Sequence, residues 1–200
     1  IPVNMLGGIA FHNQAQFHPL HFLEQLAKDM EVYNLCQATQ INSDGTVVVN
    51  GRKKIKAQSI VMATHYPIIN SKGMYIAKLH QQRSYAVALE QKEPFQIQDM
   101  YIDYDEKGHS FRTYDQYLIM GVGNHRTGQK VIPDYYKQLE GEASRWFPNA
   151  NIVYEWSNQD CMSIDHIPYI GQYSKSLPHI YVATGFNQWG MSNSMVSANI

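Results

Sequence analysis

Cysteine is scarce: Cys36 and Cys161 are the only two in 200 residues, they stand far apart, and they form no CxxC. This excludes a disulfide framework and a zinc knuckle, and it suits a reducing compartment, so a cytoplasmic location is expected. Charge of one sign is missing too. Sixteen basic against seventeen acidic residues leave a net charge of −1, whereas a surface that tracks nucleic-acid phosphates carries a clustered basic excess. No nucleic-acid partner is expected. No window approaches about eighteen consecutive apolar residues, and no basic stretch before an apolar run marks a secretory signal, so no membrane partner is expected either. A GxSxG nucleophile elbow is absent, which argues against a hydrolase. Among nine histidines, His18 and His21 are three apart, but no HExxH or HxH occurs and no acidic or Cys companion stands beside them. No metal site is expected.

What is present is 44% hydrophobic residues, enough for a sizeable core. Pro19 suits a first helical position, and Leu20, Leu23, Ala27 and Met30 recur at helical spacing, predicting a helix over 19–30. Strands are predicted at 31–35 and 46–50, separated by a turn at Asn42-Ser43-Asp44-Gly45. The apolar run 59–63 reads as a strand buried on both faces. Residues 79–89 look extended, 100–104 and 109–114 form a hairpin, and 117–122 adds a strand. Tyr135, Leu139, Ala143 and Trp146 share one face of a helix over 134–147 that Pro148 stops. Strands follow at 152–156 and 180–183, and a last helix begins near Met191. The fold class is α+β: a mainly antiparallel sheet with helices on one side, plus two strands of another layer. The chain opens at Ile1 without an initiator Met and stops inside what reads as an uncapped helix, so a piece of a longer protein is expected.

The strongest local pattern is Ile180-Tyr181-Val182-Ala183-Thr184-Gly185-Phe186-Asn187-Gln188-Trp189-Gly190-Met191-Ser192-Asn193. A buried strand runs through two glycines into a helix, which aims free N–H groups and the positive helix end at one point. Ser192 and Asn193 can cap that helix or donate to a ligand. The same residues also describe an ordinary strand–loop–helix turn with Trp189 in the core. A second apolar strand ends in Ala63-Thr64-His65-Tyr66-Pro67, where a histidine is as readily structural as functional.

Together with Ile167-Pro168-Tyr169-Ile170-Gly171, these strand ends resemble the FAD-dependent amino-acid and amine oxidoreductases, the group of D-amino-acid oxidase, glycine oxidase and sarcosine oxidase. The resemblance is nearer to a bacterial branch whose members often carry a C-terminal Rieske [2Fe–2S] domain. Phe17-His18-Pro19-Leu20, Ser110-Phe111-Arg112-Thr113-Tyr114 and Gly123-Asn124-His125-Arg126-Thr127-Gly128 carry that likeness. It implies a partial FAD-binding region over 1–66, a substrate-binding sheet domain over 67–160, and a return to the FAD region over 161–200. It implies FAD as cofactor, with Ala63, Thr64, His65, Gly185, Phe186, Asn187, Trp189, Gly190, Met191 and Ser192 as flavin neighbours. His65 stands where many relatives have Gly. A [2Fe–2S] cluster is implied only for a domain outside these residues.

Two departures from the family stand out. No GxGxxG follows a strand, so the ADP half of FAD lacks its phosphate cradle here. Glycine-oxidase-like relatives also place an Arg, which clamps the substrate carboxylate, where this chain has Asp160. A carboxylate there would repel an amino-acid carboxylate and attract an amine; equally, Asp160 caps a loop or pairs with a surface Lys. Arg83 and Arg112 can replace the missing Arg or be solvent-facing strand residues, and Tyr85, Tyr101 and Tyr117 are candidates for a pocket wall. The resemblance implies oxidation of an amine or amino-acid-like small molecule by hydride transfer to flavin, in a parent enzyme of which this isolated chain is inactive. The other reading is a non-catalytic ligand-binding or protein-interaction domain built on the same sheet.

Overall fold

Along Ser84-Tyr85-Ala86-Val87-Ala88-Leu89, small and large side chains alternate, and an extended strand sends them to opposite faces. The computed structural model describes residue 1 and residues 3–70, 72–105, 108–129 and 134–200. The chain divides into two units, residues 2–56, and residues 57–200 together with Ile1.

The first unit holds helix α1 (Pro19–Ala27) and strands β1 (Ala38–Ile41), β2 (Thr46–Val49) and β3 (Lys53–Lys56), the strands forming an antiparallel sheet in that order. Pro19 opens α1, and the Nδ1 of His18 accepts from the His21 N–H at 3.3 Å, so this histidine pair caps a helix. The helix ends three residues before the expected Met30, because Lys28 and Met30 donate to carbonyls only three positions back, Gln25 and Ala27, closing tighter turns. The expected strand over 31–35 does not form. The Asn50 side chain instead donates to the Leu35 carbonyl and accepts from the Gln37 N–H, and the partner of β2 is β1. Asn50 and Gly51, with φ of 51° and 68°, make the turn from β2 into β3, an Asn-Gly hairpin turn.

The second unit holds two sheets. β4 (Ile60–Met62) runs parallel to β11 (Leu177–Thr184), which pairs antiparallel with β10 (Tyr169–Ser174). The larger sheet has five antiparallel strands in the order β6-β7-β8-β5-β9, from β5 (Leu79–Glu90), β6 (Tyr101–Ile102), β7 (Ser110–Tyr114), β8 (Tyr117–Arg126) and β9 (Asn151–Ser163). β9 outruns the expected 152–156 by seven residues at its end, since the polar stretch 157–160 has no apolar pattern and is held extended by pairing with β5 over its whole length.

Helix α2 (Tyr135–Trp146) lies on one face of the larger sheet. The Asp134 carboxylate caps it, accepting from the Tyr136 and Lys137 N–H groups at 3.1 and 3.4 Å. Leu139 and Ala143 are buried against Val87, Leu89, Phe111, Leu118 and Met120, which form the core. Complete burial of each such side chain stabilises by about 1.5–3 kcal/mol. His109 and Glu142, 2.6 Å apart, tie the start of β7 to the helix. The other side chains of β5, Gln82, Ser84, Ala86 and Ala88, project from the face opposite α2.

Between Arg83 and Tyr85 of β5, β8 carries one residue too many, with Arg83 opposite His125 and Tyr85 opposite Val122. This bulge sits at Gly123, whose φ is +77° and whose missing Cβ would stand 2.6 Å from the Tyr135 ring. The bulge keeps His125 on the helix side, where its ring and Tyr85 both stack on Tyr135, and returns Arg126 to the open face opposite Gln82. Replacing Gly123 with Ala adds a strained left-handed residue and a clash with an aromatic ring. We expect a loss of about 1–3 kcal/mol in urea denaturation, with near-ultraviolet dichroism reporting displacement of Tyr135.

Candidate functional site

Three segments converge where the two sheets of the larger unit meet: the end of β4, the end of β9, and the turn from β11 into helix α3 (Gly190–Ser197). Ala63, Thr64 and His65 follow β4 and are exposed. The Thr184 hydroxyl donates to the His65 carbonyl at 2.5 Å, and the buried Cys161 sulfur lies 3.5 Å from the same hydroxyl. His65 has φ +64°, a conformation that costs a side chain roughly 1–2 kcal/mol and that glycine adopts freely.

Asn187 joins the pieces. Its N–H donates to the Cys161 carbonyl at 3.0 Å, its Oδ1 accepts from the Ser163 N–H at 3.1 Å, and its Nδ2 donates to the His166 carbonyl at 3.2 Å. Its φ of +55° is one that asparagine tolerates better than most side chains. Gly185, at φ +68°, is closely packed: a Cβ there would lie 3.1 Å from Leu79 Cδ2 and 3.2 Å from Ser163 Cβ. Sequence reasoning missed Ser163, because nothing local marks it; only the pairing of β9 with β5 carries it to this turn.

Helix α3 starts without a side-chain cap. The Ser192 hydroxyl turns back to the Trp189 carbonyl, and the Asn193 amide donates to the Phe186 carbonyl, so neither serves the N–H groups of the first turn. Trp189 is 70% exposed, which overturns the reading that placed it in the core. Met191, at 40%, is exposed as well. The helix itself ends at Ser197 with Ala198 as its C-cap, three residues before the expected run-off.

The three charged residues singled out for substrate are not brought together. Asp160 and Arg112 project from the open face of the five-stranded sheet, but Arg112 lies in the row of Ala88 and Asp160 in the row of Gln82. Those rows are six positions apart, about 20 Å along the strand. Arg83 lies on the helix face, where Tyr85 donates to or accepts from His125 at 3.0 Å, so Tyr85 lines no pocket on the open side. Arg112 is exposed, as the solvent-facing reading has it. Asp160 belongs to a strand, not a loop, and no hydrogen bond or lysine contributes to its charge state.

The open face is graded along its length. Around Gln82 it is polar, with Asp160 on one side, Arg126 on the other and His80 next along the strand. Ser84, Ala86 and Gly121 make a low middle, and Trp156, Tyr154 and Tyr117 an aromatic far end. Gln82 and Arg126 escaped sequence reasoning, although the alternation from Ser84 to Leu89 already separates an open from a covered face. Burial holds the His80 imidazole below its ordinary value, with Arg126 and His166 adding to the effect. Two surface concavities, lined by Glu90, Lys92 and Asn149 and by Phe95 and Thr113, lie at the other end of β5 and touch none of these residues. Among the described residues no group of three or more His, Cys, Asp or Glu is placed to hold a metal ion. No helix of the described residues is long and apolar enough to cross a membrane.

Burial pushes the Asp160 carboxyl above its ordinary 3.8, and the nearby His65 counters with a smaller pull downward. An acid raised in the folded state binds more protons folded than unfolded, so its contribution to stability is best below 3.8 and is lost as pH rises through the raised value. Asp160→Asn removes the desolvated charge. We expect its Tm at pH 7 to exceed that of the parent by about 1–3 °C, with the gap closing below the ordinary aspartate value. Scanning calorimetry from pH 3 to 7 measures it.

Comparison with known proteins places the chain among relatives. The chain is 34% identical over 212 residues to YhfW of Bacillus subtilis (strain 168), which is named as a Rieske 2Fe-2S iron-sulfur protein; the match takes in all of this chain and 42% of that protein. Glycine oxidase from Geobacillus kaustophilus superposes with a TM-score of 0.66 at 18% identity, over 84% of this chain and 47% of the oxidase. L-proline dehydrogenase from P. horikoshii gives 0.59 at 21% identity, over 82% and 46%. The chain thus spans less than half the length of each. The model of the FAD dependent oxidoreductase family matches residues 1–200. The chain therefore belongs to the FAD dependent oxidoreductase family.

Proposed function

We propose that these residues form the substrate-binding sheet and the flavin-adjoining strand ends of an enzyme that oxidises a small amine or amino-acid-like molecule. The observation that supports this reading is the junction held by Asn187, which ties the turn before the uncapped α3 to the end of β9, while Thr184 ties the end of β11 to the exposed segment at His65. In this proposal residues 1–66 and 161–200 belong to the flavin region and 67–160 to the substrate domain.

Bound FAD would supply the acceptor for the hydride that leaves the amine-bearing carbon, the resulting imine being hydrolysed by water. The chain's own part is placement and electrostatics. The first-turn N–H groups of Gly190, Met191 and Ser192 would face the flavin edge that gains negative charge, where a helix N-terminus is worth about 0.3–1 kcal/mol or more when partly buried. Gly185, Phe186 and Asn187 would bring backbone close to the ring, and Trp189 would lose solvent exposure against it. Ala63, Thr64 and His65 would contribute from the neighbouring strand end. The substrate would lie on the open face of the sheet, above Ser84, Ala86 and Gly121.

A [2Fe–2S] cluster enters only through the name of YhfW. Rieske centres use two Cys and two His, and here Cys36 is exposed while Cys161 is buried beside Thr184. These residues do not suit such a centre, so any cluster would be held elsewhere in the longer protein. On cysteine usage we place the enzyme in the cytoplasm.

The full-length protein is expected to purify with a flavin absorbance band that small amines or amino acids bleach under anaerobic conditions. The isolated 200 residues, which contain no GxGxxG, are expected to bind FAD more weakly than micromolar and to turn nothing over. A full-length protein that never retains flavin would contradict the proposal.

A further inference from the structure

Gln82 and Asp160 are direct cross-strand partners on the open face, so their side chains stand side by side. Both present acceptors that lack donors. The Oε1 of Gln82 is buried with no hydrogen-bond partner, and no hydrogen bond contributes to the half-buried Asp160 carboxylate. A buried acceptor without a donor is costly, and more so when it is charged. A partly desolvated carboxylate beside such a buried, unpaired acceptor is an arrangement that a ligand bringing both charge and donors would relieve. The missing partner must carry positive charge and more than one N–H.

Arg126, the neighbour of Gln82 on the other side, is exposed, and no ion pair joins it to Asp160. His65 acts on Asp160 only as a nearby charge. From the polar end the face descends to Ser84 and Ala86, side chains too small to fill it, with Asn158 opposite Ser84 on β9. It ends at Trp156, opposite Ala86 and four positions from Asp160, roughly 13 Å along the strand. This floor fits an apolar body of several carbons extending away from the charged end.

We propose that Asp160 and Gln82 bind a primary ammonium group, and that the substrate of this site is an amine with an apolar body and no carboxylate on the amine-bearing carbon. The proposal rests on the reading of the open face as the substrate site. It goes further in naming the substrate class and the two residues that select it. A primary ammonium brings three N–H donors and one charge, enough for both acceptors, and its body lies along Ser84 and Ala86 toward Trp156. A carboxylate on the same carbon would be held beside the Asp160 carboxylate, where like charges repel.

The test is calorimetric titration of the full-length protein with pairs of ligands that differ only in the carboxylate: phenethylamine against phenylalanine, and isobutylamine against valine. We expect at least one amine to bind about tenfold or more tightly than its amino acid. Asp160→Asn should weaken that amine by about 10–100-fold and Gln82→Met by about 3–10-fold, while the amino acid changes less than about threefold, within the scatter of a substitution that leaves its contacts intact. Asp160→Asn is expected to fold at least as stably as the parent, so loss of binding is not loss of structure. Equal binding within every pair, tighter binding of the amino acids, amine binding unmoved by Asp160→Asn, or no binding of any of the four ligands each overturns the proposal. Flavin absorbance of the same samples separates the two readings. Flavin reduced by amino acids without amine preference leaves the oxidoreductase standing and removes this inference. Amine selection through Asp160 without flavin does the reverse.

Discussion

The architecture around the candidate site depends on one side chain, Asn187, whose amide uses donor and acceptor on different segments. Its backbone N–H reaches the end of β9, its Oδ1 accepts from Ser163, and its Nδ2 holds the carbonyl of His166. Each bond is worth about 1 kcal/mol net, but together they fix which strand ends meet. Thr184 adds the third segment through the His65 carbonyl. The turn therefore serves as a hub between a small sheet that contains a parallel strand pair and a larger antiparallel one. An aliphatic side chain in the same place would leave the N–H of the buried Ser163 without its partner and release the exposed His166 carbonyl to solvent.

The two faces of the larger sheet divide the work. One is closed by α2, with Leu139 and Ala143 buried over Val87 and Leu89 and an aromatic stack of Tyr85, His125 and Tyr135 at the helix start. The other stays open because Ser84, Ala86 and Gly121 leave it low. The bulge at Gly123 decides which residues fall on which side: without the extra residue, His125 would point to the open face and Arg126 under the helix. Polar groups on the open face are then desolvated by neighbouring strands but not paired, a costly state that marks ligand sites more often than structural ones.

Where a residue's neighbours in sequence define its environment, the sequence was readable. Leu139, Ala143 and Trp146 at helical spacing and Pro148 as stop predict α2 to within a residue at each end, with Asp134, expected as its first residue, serving as its cap. The glycines and apolar run of 180–193 likewise predict β11 and α3. Where the environment comes from a distant partner, it was not. The end of β9 over 157–160 is polar, and only its pairing with β5 makes it a strand. Residues 31–35 carry strand-forming side chains, yet Asn50 captures the chain there and shifts pairing to β1. Asn50-Gly51, a local signal, was available and went unread. The site follows the same rule. Gly185, Asn187 and His65 stand out by position, whereas Ser163, Gln82 and Arg126 acquire meaning only through register.

The central claim is that flavin sits against the strand end at Ala63-Thr64-His65 and the start of α3. Hydrogen–deuterium exchange of the full-length protein, flavin-free and flavin-loaded, tests it directly. The account predicts that backbone amides at 63–65 and 185–192 gain protection together on loading, while those of α2 change little. Protection that appears on α2 and leaves 63–65 and 185–192 unchanged would contradict it.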